Sequence, residues 1–247
     1  MITIKKPNEI EKMRVAGKLT GDALKYIEEH IKPGITTAQI NKLIHEFITS
    51  HDAIPSFLGY RGYPASACVS VNDVVVHGIP GSYALQEGDI VSIDVGVIKD
   101  GWNGDAARTF GVGKISAEAQ KLIDVTRECF FEGIKHARAG RRLGDLGEAI
   151  QKHAESNGFG VVREMIGHGI GRNMHEDPSV PNYGKAGTGV LLKSGYTIAV
   201  EPMINAGTFK IKFDSDGWTT RSADGSLSAH YENKIVVQDG ETLILKL

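Results

Sequence analysis

Asp94 and Asp105 are the residues whose placement first suggests chemistry. Asp94 sits in Gly88-Asp89-Ile90-Val91-Ser92-Ile93-Asp94-Val95-Gly96, a mostly apolar, β-branched run. An ionised carboxylate is costly there unless something cationic meets it. Asp105 follows in Gly104-Asp105-Ala106-Ala107-Arg108, across the turn-like stretch Lys99-Asp100-Gly101. A hairpin about Lys99 and Asp100 would set the two acids almost opposite each other on neighbouring strands. Opposed like charges destabilise a sheet, so the pair calls for a shared cation. Three more residues offer the other half of such a site. Glu201 lies in Ile198-Ala199-Val200-Glu201-Pro202-Met203, Glu232 in His230-Tyr231-Glu232-Asn233-Lys234, and His168 between glycines in Gly167-His168-Gly169-Ile170-Gly171. Four carboxylates and one imidazole suit Mn, Fe(II), Co(II) or Zn and exclude a structural thiolate zinc site. Two divalent ions sharing bridging carboxylates would balance the four negative charges. Held about 3.5 Å apart, they could share one hydroxide as nucleophile and polarise a carbonyl. His77, in His77-Gly78-Ile79-Pro80, and His175, in Met174-His175-Glu176-Asp177-Pro178, could bind a substrate amide or a tetrahedral oxyanion. Taken singly, each residue has a plainer reading: a surface acid, a turn-capping histidine, a turn residue ahead of proline.

A weak internal repeat joins them. Pro33-Gly34, a helix, Val76-His77-Gly78-Ile79 and Leu85 to Asp94 form one copy. Ala139-Gly140, a helix, Gly167-His168-Gly169-Ile170 and Leu192 to Glu201 form the other. In each copy a His-Gly-Ile loop precedes a strand with a buried carboxylate. Two such halves facing each other bring both carboxylates and both histidines to the seam.

The elements that must hold these residues read as follows. Asn8 with Glu11 predicts the start of a helix whose stripe runs from Ile10 to Ile31, with Pro33-Gly34 beyond it. Thr36, with Gln39 in capping-box position, opens a second with Ile40, Ile44 and Ile48 inward. Phe57 to Tyr63 reads as an aromatic, glycine-punctuated loop. Strands are expected near 66–71, 90–98 and 103–112. Ser116 caps a third helix to about His136, and 143–157 form a fourth, stopped by Asn157-Gly158. The remainder reads as strand and loop.

With 247 residues, 41% of them apolar and 23% charged, the chain can bury a sizeable core. A net charge of -2 gives no electrostatic footprint for nucleic acid or an anionic membrane. Cys68 and Cys129 lack metal-knuckle spacing and read as free thiols in a reducing compartment. No stretch approaches 18 apolar residues and the N-terminus has no leader-like apolar core, so a cytoplasmic protein is expected.

From about residue 7 to its end, the chain resembles the methionine aminopeptidases. The likeness rests on His77-Gly78-Ile79-Pro80, Ile93-Asp94-Val95 with Gly104-Asp105, Gly167 to Gly171 followed by His175-Glu176, Glu201-Pro202-Met203, and Tyr231-Glu232. It implies an α/β pita-bread (creatinase/aminopeptidase-like) fold: one domain over 1–247, with pseudo-symmetric halves of roughly 1–115 and 116–247 around a central antiparallel sheet. It implies two divalent ions, with Asp105 and Glu232 bridging, Asp94 on one ion, and His168 and Glu201 on the other. Glu201 would relay a proton, and His77 and His175 would contact substrate and transition state. A methionine pocket is implied from Phe57, Tyr60, Tyr63, Cys68, Met174 and Trp218, and a monovalent Na or K site near Asn72, Val74 and Ser228. The implied activity is removal of the initiator methionine from nascent polypeptides with a small second residue, near the ribosome, by a monomer. Glu201 and Glu232 are too close in sequence for the helical insert of the second family type, and no cysteine-rich extension precedes residue 7. The chain therefore resembles the short bacterial type I form. An Xaa-Pro peptidase or a non-catalytic binding protein on the same fold are the rivals. The former commonly carries an extra N-terminal domain, and the latter usually loses ligands. The family usually reads Gln-x-Glu-His-Thr around the last ligand, whereas here it reads His230-Tyr231-Glu232-Asn233-Lys234. On a strand His230 and Glu232 share a face, which puts His230 beside the ligands, where it would alter the local proton network; Asn233 and Lys234 put outer support, not metal binding itself, in question.

Overall fold

The structure, a computed structural model, describes residues 2–245. The described residues form four α-helices: α1 (Pro7–Glu28), α2 (Thr37–Ser50), α3 (Ala117–Ile134) and α4 (Leu143–Ser156). The strands are β1 (Ile54–Pro55), β2 (Ala67–Val71), β3 (Val74–Val76), β4 (Ile90–Lys99), β5 (Trp102–Gly111), β6 (Gly160–Val161), β7 (Gly167–Gly169), β8 (Glu176–Val180), β9 (Thr197–Val200), β10 (Met203–Asn205), β11 (Ile211–Phe213), β12 (Thr220–Ser222), β13 (Ser228–His230), β14 (Glu232–Val236) and β15 (Leu243–Ile244).

Antiparallel pairings build the main sheet in the order β1-β4-β5-β14-β9-β7-β8, with β2 on β4 and β15 on β14. Its centre is symmetric in kind. β4 and β5 come from the first half of the chain and β14 and β9 from the second, meeting where β5 pairs with β14. Each half brings two helices and a core. Leu24, Ile27, Ile40 and Ile44 of α1 and α2 pack with Ile93 and Val95 of β4. Leu122, Phe130, Leu146 and Ile150 of α3 and α4 pack with Ile198 and Ile235 of β9 and β14. This is the sequence repeat made visible as two α/β halves sharing one sheet.

Close approach of α1 to β5 depends on Gly104. A Cβ there would come 2.3 Å from Thr20 Oγ1 and 2.5 Å from the Ala16 carbonyl oxygen, so only glycine lets the helix lie against the strand next to Asp105.

Several local expectations shift. The first helix starts at Pro7, not after Asn8. Lys6 is its N-cap and the Lys6 backbone N–H donates to Glu9 Oε2 at 2.9 Å, because Pro suits the first helical position. It ends at Glu28, before Pro33-Gly34. Thr36 caps α2 as expected, accepting from Gln39 N. A short 3₁₀ turn, Tyr60–Gly62, lies inside the aromatic loop. The hairpin turns about Asp100 and Gly101, both at positive φ (51° and 75°), as a two-residue Asp-Gly turn favours. Moving the turn by one residue moves every partner by two. Asp94 therefore faces Ala107, and Asp105 faces Gly96. The two acids are diagonal neighbours on one face, not directly opposed.

Candidate metal centre and active site

Five adjacent strands deliver the five expected ligands to one place. Asp94 comes from β4, Asp105 from β5 and Glu232 from β14; Glu201 follows β9 and His168 is the middle residue of β7. His168 Nε2 lies 3.7 Å from Asp105 Oδ2 and 3.6 Å from Glu201 Oε1. Its Nδ1 is 2.8 Å from the Gly169 carbonyl oxygen, which can only accept. The proton is therefore on Nδ1, and the Nε2 lone pair faces the carboxylates, as a metal ligand requires. Flanking glycines make this position possible. A Cβ at Gly169 would come 2.0 Å from the Asp177 carbonyl oxygen, and one at Gly167 2.3 Å from that of Ala199.

The centre is an unfavourable place for four acids alone. Burial raises all four carboxyls, with Asp94, Glu201 and Glu232 well above the ordinary range and each raised further by Asp105. Asp105 is pushed up to about 7 by burial, with Lys234 opposing the rise. Asp94 Oδ1, Asp105 Oδ1 and Glu232 Oε1 are buried with no hydrogen-bond partner. Unpaired buried acceptors of this kind are expensive in a protein interior. A divalent cation is the group that fits: ligand atoms of Asp105, His168 and Glu232 all lie within 4.8 Å of one another, as do those of Glu201, His230 and Glu232. The donors are oxygen-rich with imidazole. The nearby Cys68 thiol is raised well above its ordinary value, chiefly by burial, so it stays protonated.

Beside these acids opens a cavity of about 270 Å³. Phe57, Tyr60, Tyr63, Cys68, Met174 and Trp218 all line it and form one apolar cluster. Cys68 reaches it because it pairs with Asp94 across β2–β4. Tyr63 and Trp218 meet edge to face at 5.1 Å, and Tyr63 Oη donates to the Gly78 carbonyl at 3.0 Å. His77 lies edge-on to Trp218 at 6.2 Å and has a positive φ of 60°, uncommon for a non-glycine residue. Packing of Gly78 holds it there: the Gly78 N–H donates to Ser70 Oγ, and a Cβ would meet the Val69 carbonyl oxygen at 2.4 Å. Burial lowers His77 to about 4, with His175 adding to the effect. His175 lines the same cavity, its ring 4.1 Å from that of His168 and its Nδ1 hydrogen-bonded to Tyr60 Oη at 2.8 Å. It too is lowered, by burial and then by Arg61. Both histidines are therefore neutral near pH 7.

Residues 11–239 match the description of metallopeptidase family M24. The chain belongs to metallopeptidase family M24. It is 53% identical to a methionine aminopeptidase of Clostridium perfringens, over 100% of this chain and 99% of that one. The crystal structure of methionine aminopeptidase from Rickettsia prowazekii superposes with a TM-score of 0.99 at 48% identity, covering 100% of both chains. An X-Pro aminopeptidase structure from Thermotoga maritima matches at 21% identity and a TM-score of 0.78, over 99% of this chain and 62% of that one, which shows shared fold alone. The fold expected from the sequence, pita-bread halves around an antiparallel sheet, is what this M24 chain has. Among its described residues no helix is long and apolar enough to cross a membrane.

Every expected ligand and pocket residue of this M24 chain meets at one cavity; the monovalent-cation group stands apart. There the Ser228 N–H donates to the Asn72 carbonyl at 2.8 Å, while Val74 begins β3. Sequence reasoning missed Arg61, Glu164, Met165 and Ile166, which also line the cavity. Their adjacency to the Gly59-to-Tyr63 loop and to Gly167-His168 was the available signal. It also left the supports of Glu232 in question. The structure supplies them. Arg108 donates to the Glu232 carbonyl at 2.6 Å and to Asn233 Oδ1 at 2.7 Å. The buried Lys234 amine donates to the carbonyls of Met13 at 2.8 Å and Asn103 at 2.6 Å, next to Asp105.

Proposed function

We propose that this chain removes the initiator methionine from newly made proteins whose second residue is small, using two divalent ions. One observation carries the reading: five ligand-type side chains converge beside a pocket walled by Met174, Phe57, Tyr63 and Trp218, a lining suited to a thioether. Full-length identity of about half to methionine aminopeptidases supports it. When bound, divalent ions would activate water and polarise the scissile carbonyl. Asp105 and Glu232 would contact both ions, Asp94 one, and His168 and Glu201 the other. Mn, Co, Fe(II) and Zn all suit this donor set.

The chain's own groups do the rest. The apolar cluster takes the methionine side chain and excludes water. The substrate amine lies toward Asp94. Glu201, half-buried and with its carboxyl raised, holds the proton released by the attacking water at a carboxylate oxygen and passes it to the leaving amine. His77 and His175 hydrogen-bond the substrate amide and the tetrahedral oxyanion. Tyr60, stacked on His175 with centroids 5.3 Å apart and hydrogen-bonded to its Nδ1, holds that ring in place. We also infer a Na or K ion at the Asn72, Val74 and Ser228 carbonyls, a monomer, and a cytoplasmic enzyme meeting nascent chains near the ribosome.

The test compares Met-Ala-Ser, Leu-Ala-Ser and Ala-Pro-Ala as substrates for chelator-stripped protein reloaded with Mn, Co or Fe(II). Cleavage only after methionine is expected. Cleavage of Ala-Pro-Ala but not Met-Ala-Ser would move the chain to the Xaa-Pro class.

A further inference from the structure

His230 lies outside the five-residue ligand set, yet it ends β13 against the same acids and is only 2% exposed. Its backbone is clamped from β5: its N–H donates to Thr109 Oγ1, and Thr109 Oγ1 donates to its carbonyl, each at 2.9 Å. Its Nε2 is buried and has no hydrogen-bond partner. The carboxylate atoms facing that nitrogen are Glu201 Oε2 at 3.9 Å and Glu232 Oε2 at 3.8 Å. Those distances are too long for hydrogen bonds. They match the separation of two donors on one ion, since ligands about 2.0–2.2 Å from a common centre stand roughly 3–4 Å apart. His168 stands in the same relation to Asp105 and Glu201, at 3.7 and 3.6 Å. Glu201 thus turns one oxygen to each imidazole, Oε1 to His168 and Oε2 to His230. Glu232 is common to both ligand groups, Asp105-His168-Glu232 and Glu201-His230-Glu232.

We propose that His230 is itself a metal ligand in this chain, adding a second imidazole, through Nε2, to the ion held by Glu201 and Glu232. The inference rests on the metal-centre reading above. A purely packing role would not place an unpaired nitrogen between two carboxylates, and a proton-relay role would need a contact shorter than the one seen. The glutamine usual at this position in the family offers only an amide oxygen, a harder and weaker donor. Imidazole favours Co(II), Zn and Fe(II) over Mn(II), so the ion beside His230 is held more tightly and more selectively than an amide would hold it.

The test uses full-length protein stripped with chelator and loaded with two equivalents of Co(II). In paramagnetic proton NMR each coordinated imidazole gives one strongly shifted, solvent-exchangeable N–H signal. Wild type should show two, and His230→Gln and His168→Gln one each. Co(II) titration should show one ion weakened by about tenfold or more in His230→Gln, with little change in its Mn(II) affinity. A single shifted N–H in wild type, lost in His168→Gln and retained in His230→Gln, would overturn the proposal while leaving the five-ligand centre intact. The count in wild type needs no variant to fold. Failure of wild type to bind Co(II) or Mn(II) would sink the metal-centre reading, and this inference with it.

Discussion

Replacing Asp105 by asparagine should stabilise the metal-free protein while abolishing its response to metal. Asp105 is 5% exposed and its carboxyl is raised from an ordinary 3.8 to about 7, chiefly by burial. At about 1.36 kcal/mol per pH unit, forcing it to ionise in the folded chain costs roughly 4 kcal/mol above pH 7. The folded state holds its proton more tightly than the unfolded state between pH 3.8 and about 7. Stability of the stripped wild type should therefore fall as pH rises through that window. Asparagine removes this loss, but its buried amide recovers only part of it, at a cost of about 1–3 kcal/mol. The net expectation at pH 8 is a stripped variant about 1–3 kcal/mol more stable than stripped wild type, with a melting midpoint raised by about 2–4 °C per kcal/mol. At pH 5 the advantage should largely vanish. Added Mn(II) at about 100 times its dissociation constant should stabilise wild type by about 2.7 kcal/mol and leave the variant nearly unmoved. Urea denaturation at pH 5 and pH 8, with and without Mn(II), reads all four states. A stripped variant less stable than stripped wild type at pH 8, or a wild type indifferent to pH and Mn(II), would refute the claim that uncompensated buried charge is what the ions offset.

Other consequences are simpler to read. Gly104→Ala should lower stability by about 1–3 kcal/mol or more, because its Cβ would meet Thr20 and the Ala16 backbone; calorimetry unable to separate it from wild type would show that α1 can move away freely. His77→Ala should lower kcat/KM for Met-Ala-Ser by roughly 10²–10⁴-fold with Co(II) binding retained, so loss of metal together with activity would assign His77 to the centre instead. Trp218→Ala opens the wall shared with Tyr63 and His77 and should lower kcat/KM for methionine peptides by about tenfold or more; an unchanged value would remove Trp218 from the pocket.

Much of the site was legible because chemistry and period agreed. Asp94 and Glu201 stood out as acids inside apolar strands, and His168 stood out between glycines, which the close Asp177 and Ala199 carbonyls now explain. The repeat of His-Gly-Ile before each strand foretold two halves meeting at β5 and β14. What escaped depended on geometry that sequence spacing does not fix. The partner of Asp94 was displaced by two residues because Asp100 and Gly101 both take positive φ, and nothing but backbone conformation chooses that turn over one centred a residue earlier. Lys234 stood in the sequence only as a departure from the family's usual residues beside the last ligand. Its amine is buried because Met13 and Asn103, distant in sequence, both aim carbonyls at it. Glu164, Met165 and Ile166 also line the cavity, and only their adjacency to Gly167-His168 could have signalled it.

The most direct test of the whole account is the rate of methionine release from Met-Ala-Ser by chelator-stripped protein as Mn(II) or Co(II) is added back. No release is expected without ions, and release should rise with ion binding, with Asp105→Asn silent throughout. Release independent of added metal, or an active Asp105→Asn protein, would contradict it.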